Sequence, residues 1–118
     1  MDQAERDSGA IVVCRLAEIP DGGALRVARE TTGTDDDIAV FNDGGRIYAL
    51  NDTCTHARAS LADGWVEDGE VECPMHSGRF DLLSGEAVAP PATRDTVAYG
   101  VEVRDGAVWL HAAAIPGR

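Results

Sequence analysis

Apolar positions fall in short runs separated by polar and glycine-rich turns. Ile11-Val12-Val13-Cys14-Arg15-Leu16 is rich in β-branched residues and is expected to be a strand. Pro20-Asp21-Gly22-Gly23 reads as a turn, and residues 24–28 alternate after it. Ile38-Ala39-Val40-Phe41 and Arg46-Ile47-Tyr48-Ala49-Leu50 flank Asn42-Asp43-Gly44-Gly45, which predicts a hairpin. Near the end, residues 97–104 and 107–111 flank Asp105-Gly106, a second hairpin signal. Residues 31–37 are polar and are expected to form an exposed loop. No segment carries a sustained i, i+3, i+4, i+7 apolar stripe, so no helix of any length is predicted. The pattern predicts an all-β fold of many short strands, a sandwich or small barrel.

Residues 52–91 differ in texture. They hold two of the three cysteines, two of the three histidines, a tryptophan and several glycine turns, with few apolar runs. This stretch is expected to leave the β framework and to be organised around something other than a hydrophobic core.

Length and charge narrow the possibilities. A chain of 118 residues is expected to be one domain, and its apolar fraction of 44% suits a globular protein. The longest apolar run, Ala10-Ile11-Val12-Val13-Cys14, is far short of the ~20 residues of a membrane span. The first residues, Met1-Asp2-Gln3-Ala4-Glu5, are acidic where a signal peptide would be basic. A soluble, intracellular, cytoplasmic protein is therefore expected. A monomer is expected as well. Twenty-one acidic residues against ten basic ones, all arginine, leave a net charge of −11. Such a surface disfavours nucleic acid and anionic membranes. It suits solubility, or docking onto a basic patch of another protein.

Three cysteines are too few for a disulfide scaffold in a chain of this length. Two of them lie near histidines. Cys54-Thr55-His56 is a C-x-H, and Cys73-Pro74-Met75-His76 is a C-x-x-H. Two loops thus offer one thiolate and one imidazole each. Four such donors could bind a single structural zinc, although zinc sites of that class usually pair Cys with Cys and His with His. They could equally bind a [2Fe–2S] cluster with two Cys on one iron and two His on the other. Each loop would then supply one ligand to each iron, which accounts for the mixed character of both. Cys14 stands apart on a predicted strand and is expected in the core. His111, on the last strand, is assigned no role.

The pair Cys54-x-His56 and Cys73-Pro74-x-His76 resembles the Rieske iron–sulfur motif. Asp63-Gly64-Trp65, Ser77-Gly78-Arg79-Phe80-Asp81, Ser84-Gly85-Glu86 and Ala89-Pro90-Pro91-Ala92 are similar to segments around the family's ligand loops. The closing stretch, residues 101–110, is similar to its last hairpin. The resemblance implies a Rieske fold: an antiparallel β-sandwich framework, residues 10–51 and 89–112, with a smaller cluster-binding subdomain inserted at about 52–88. The whole, 1–118, would be a single domain. It implies one [2Fe–2S] cluster, with Cys54 and Cys73 on a buried iron and His56 and His76 on an outer one. The proline segment would form a third loop that shields the cluster. Arg58, Ala57, Met75 and Pro74 would ring the histidines as a docking face.

Within that family the chain resembles the small ferredoxins of aromatic-ring-hydroxylating dioxygenase systems. The respiratory type carries an extra disulfide-forming cysteine in each ligand loop, where this chain has Ala59 and Met75. The oxygenase type needs a further domain for a mononuclear iron. The resemblance thus implies an electron carrier and not an enzyme. It would pass single electrons from a flavin-containing ferredoxin reductase to a terminal oxygenase. A Rieske ferredoxin serving another oxidoreductase, such as a nitrite-reductase-like small subunit, and a zinc-binding interaction module are the alternatives. High-potential relatives carry a serine two residues, and a tyrosine four residues, after the second ligand histidine. Those positions here are Gly78 and Phe80.

Overall fold

The computed structural model describes residues 10–55, 58–75, 77–92 and 94–114. Ten strands are described. β1 (Ala10–Arg15), β2 (Ala24–Val27), β3 (Ile38–Asp43), β4 (Arg46–Asn51), β9 (Ala98–Arg104) and β10 (Ala107–Ala114) form one sheet in the order β1-β10-β9-β4-β3-β2. β5 (Trp65–Glu67), β6 (Glu70–Glu72), β7 (Arg79–Asp81) and β8 (Ala87–Ala89) form a second, meandering sheet. All the pairings between these strands are antiparallel. The predicted all-β class is therefore correct, and the chain between β4 and β9 does leave the larger sheet. Among the described residues no helix is long and apolar enough to cross a membrane.

Two-residue turns with positive φ at both positions match the twist of the strands they join. Gly44 and Gly45 (φ 64° and 95°) close the predicted β3–β4 hairpin. Asp105-Gly106 closes β9–β10, also as predicted. Asp68 and Gly69 (φ 54° and 80°) close β5–β6 in the same way. That third hairpin was missed in the sequence because its strands are only three residues long, too short to show alternation.

Alternation along β3 separates two cores. Ile38 and Val40 face a cluster with Cys14, Ile19, Val27, Val108 and Leu110, drawn from both edges of the larger sheet. Ala39 and Phe41 face the other way, into a cluster with Leu50, Leu61, Val71, Phe80 and Leu82. Residues 38–41 are wholly buried because both faces are covered. The second cluster corrects an expectation. The stretch after β4 is not without an apolar core; it supplies Leu61, Val71, Phe80 and Leu82, spaced too widely to form a run. They find their partners on the larger sheet.

Residues 31–37 are also more ordered than expected. Arg29–Thr32 forms one helical turn, α1, capped by Gly33. Thr32 is buried, and its hydroxyl meets that of Thr34 at 2.5 Å. The Asp37 carboxylate accepts the Arg29 N–H at 3.0 Å, folding the segment back on itself. Its polar side chains bond to one another and to neighbouring backbone, which composition alone cannot distinguish from solvation.

Candidate metal centre

The C-x-H and C-x-x-H loops are built alike. The Cys54 N–H donates to the Ala59 carbonyl at 2.9 Å, and the Cys73 N–H donates to the Gly78 carbonyl at 2.7 Å. Each bond closes a loop at the tip of an antiparallel pair: Thr53 opposite Ser60, and Glu72 opposite Arg79. Their support differs. Glu72 lies in β6 with a strand on either side, whereas the Thr53–Ser60 pairing is an isolated bridge.

The first loop is held by side chains instead. Asp52, at its base, is buried, and its Oδ1 accepts from Ser60 Oγ at 2.8 Å and from the Ala62 N–H at 3.0 Å. Burial raises its pKa, against the pull of those two bonds and of Arg26. Thr55 Oγ1 donates to the Arg94 carbonyl at 2.7 Å, tying the loop to the segment that follows Pro90-Pro91. Ala92, in that segment, lies in the same buried cluster as both cysteines. None of these polar anchors was singled out in the sequence. They are short polar residues in loops, and only their long-range partners distinguish them.

Cys54 and Cys73 meet inside the second core. They are 3% and 0% exposed, and their thiols share a hydrogen bond. Burial pushes the Cys73 thiol up to about 11, partly opposed by the Met75 backbone N–H bonded to its sulfur. Two buried thiols side by side suit a metal centre. Binding deprotonates them, and the metal supplies the charge that desolvation otherwise denies them. Backbone donation to sulfur favours the thiolate in the same sense. Among the described residues no group of three or more His, Cys, Asp or Glu could hold a metal ion. The other expected ligands, His56 and His76, lie outside the described residues, as does Ala57. Arg58 and Met75 are exposed and Pro74 half-buried, so these parts of the expected docking face reach the surface.

Cys14 lies in the first core as expected, its thiol pushed up to about 11 by burial and by Glu18. His111 Nε2 stands 3.6 Å from a Glu102 carboxylate oxygen on the outer hairpin.

Residues 9–103 match the model of the Rieske [2Fe-2S] domain. The chain is 42% identical over 101 residues to the 3-phenylpropionate/cinnamic acid dioxygenase ferredoxin subunit of Escherichia coli (strain K12), covering 85% of this chain and 91% of that one. Among solved structures it resembles a chain in a complex of reduced oxygenase and oxidized ferredoxin in carbazole 1,9a-dioxygenase. There the TM-score is 0.83 at 31% identity, over 92% of this chain and 98% of the other. The Sphingomonas yanoikuyae B1 ferredoxin matches with a TM-score of 0.78 at 33% identity, over 86% and 96% of the two chains.

Proposed function

The chain belongs to the Rieske [2Fe-2S] domain family, and from that premise we propose that Cys54, His56, Cys73 and His76 ligate its single [2Fe–2S] cluster. It is an electron carrier and not the oxygenase itself. We propose that it takes single electrons from a flavin-containing ferredoxin reductase and delivers them to the Rieske centre of a terminal ring-hydroxylating oxygenase. It would do so as a cytoplasmic monomer. The observation that carries this reading is coverage: a dioxygenase ferredoxin subunit aligns over 91% of its own length, so the likeness spans a whole carrier.

When bound, the cluster supplies a one-electron couple, Fe(III)Fe(III) to Fe(III)Fe(II). The chain's own part is to hold and insulate it. Cys54 and Cys73 present thiolates from inside the apolar cluster around Phe41, Leu50 and Phe80, a dry setting that tunes a metal centre's potential. His56 and His76 would ligate the outer iron, with exposed Arg58 and Met75 beside them as the face through which electrons pass. Residues 52–88 would form the cluster-binding subdomain, within a framework of residues 10–51 and 89–112.

The test is spectroscopic and compositional. A brown-red protein with two irons and two acid-labile sulfides per chain is expected, its reduced form giving the g-tensor of mixed Cys/His ligation. A colourless protein with one zinc would overturn the assignment. Reconstitution with a dioxygenase reductase and oxygenase should then restore product formation that depends on this chain. Reduction by the reductase should slow at high ionic strength, as expected for steering by an acidic surface.

A further inference from the structure

Cys54 leaves the framework from an isolated bridge, yet the residue before it is firmly held. The Thr53 N–H donates to Asp36 Oδ2 at 2.9 Å, and Thr53 Oγ1 donates to Asp36 Oδ1 at 2.9 Å. One carboxylate thus grips both the backbone and the side chain of Thr53. The carboxylate is itself fixed. Its Oδ1 also accepts the Asp37 N–H at 2.9 Å, and the Asp36 carbonyl accepts from Thr34 Oγ1 at 2.7 Å. Next to it the Asp37 carbonyl takes the Asp52 N–H at 2.8 Å. The segment between β2 and β3 therefore lies along the base of the C-x-H loop.

From this we infer that Asp36 is a positioning residue for the cluster, acting through Thr53 on Cys54. The inference rests on the ligand assignment proposed above. Cys73 follows a strand paired on both sides, so the ladder fixes where its sulfur sits. Among the described residues Thr53 has one bridge partner, and the bidentate carboxylate supplies the constraint that a second strand would have given. Hydrogen bonds to a charged acceptor are the stronger kind, and two in parallel fix orientation as well as distance. Neighbouring Asp35 is exposed, and Arg29 Nη1 donates to its backbone carbonyl, not to its carboxylate, at 3.5 Å.

The experiment compares Asp36→Ala, Asp36→Asn, Thr53→Val and Asp35→Ala in the cluster-loaded protein. The readouts are the g-tensor of the reduced form and the rate of iron loss to a chelator. Asp36→Ala should shift the g-values and hasten iron loss about tenfold, the lower end of what groups outside the ligand shell contribute. Asp36→Asn keeps a single acceptor oxygen and should fall between it and wild type. Thr53→Val removes only the hydroxyl arm and leaves the backbone bond, so it reads the same effect if Asp36→Ala does not fold. Asp35→Ala removes an equal charge and should match wild type. The inference is overturned if Asp36→Ala and Thr53→Val keep wild-type g-values and release rates, or if Asp35→Ala changes them as much as Asp36→Ala. A wild-type chain found without iron and sulfide overturns the ligand assignment instead, and this inference with it.

Discussion

Gly64 lies directly beneath the carbonyl oxygen of Glu72, so close that a β-carbon there would overlap it. The Leu61 carbonyl oxygen would stand 3.2 Å from that same added β-carbon. Neither neighbour is a movable side chain end. Glu72 ends β6 directly before Cys73, so whatever displaces its carbonyl displaces the second cysteine. Gly64→Ala is therefore expected to lower cluster content in purified protein, measured as iron and acid-labile sulfide per chain. Its φ of −87° is open to any residue, so the obstacle is space and not backbone strain. A fully loaded Gly64→Ala protein would contradict this account.

Loss of the cluster and loss of the core beside it should look different. Cys73→Ser is expected to abolish the cluster while the strand signal in circular dichroism survives. The reason is that Val71, Phe80 and Leu82 stay packed on Phe41 and Leu50 without it. Phe80→Ala removes the largest apolar group that the smaller sheet buries. It should cost about 3–5 kcal/mol, seen as a lowered denaturant midpoint. Because the larger sheet contributes Phe41 and Leu50 to that same cluster, unfolding should remain a single transition. Two separate transitions would mean that the two sheets are stabilised independently.

The framework strands were legible in the sequence because β3, β4, β9 and β10 are six residues or longer and end in glycine-bearing turns. That Cys54 and Cys73 belong together was legible because a cysteine two or three residues from a histidine is rare without a metal to hold, and the two do meet in one buried cluster. β5 to β8 were not legible. Each is three residues long, and their apolar side chains point singly toward a sheet formed by distant residues. The Asp36–Thr53 clamp was hidden for a related reason. Hydrogen bonds between two polar loops leave no periodic trace, and residues 35–37 read simply as charge.

Cys14 should impose a measurable alkaline limit on stability. Burial raises its pKa from the ordinary 9.0 to about 11, with Glu18 adding to the effect. The folded state thus holds a proton that the unfolded chain releases. Its contribution is fully present below pH 9 and is lost as pH rises toward 11. Urea midpoints measured from pH 8 to pH 11 should fall more steeply for wild type than for Cys14→Ala. In the native protein the same thiol should resist alkylation by iodoacetamide at pH 8, since it is both covered and protonated. Equal slopes in the two proteins would show that Cys14 titrates as freely as in an unfolded chain.

The reduction potential should lie near the low end of the Rieske range, about −150 mV rather than +300 mV. Reduction adds negative charge to the cluster, so hydrogen bonds to its sulfurs and thiolates stabilise the reduced form. Gly78 and Phe80, the positions at which high-potential relatives carry serine and tyrosine, have no side-chain donor to offer. Both residues are buried: Gly78 receives the Cys73 N–H on its carbonyl, and Phe80 shares the apolar cluster with Cys54 and Cys73. A hydroxyl introduced at either place would enter a dry setting close to the sulfurs of Cys54 and Cys73, where an unpaired donor is costly and a paired one strong. A hydrogen bond to a charged group contributes about 1.5–3 kcal/mol. Even a fraction of that, acting between the two redox states, moves a one-electron couple by tens of millivolts, since a tenfold change in equilibrium is about 59 mV. Gly78→Ser and Phe80→Tyr are thus each expected to raise the midpoint potential by tens of millivolts in a spectroelectrochemical titration. A wild-type potential well above zero would mean that donors other than these two side chains set it.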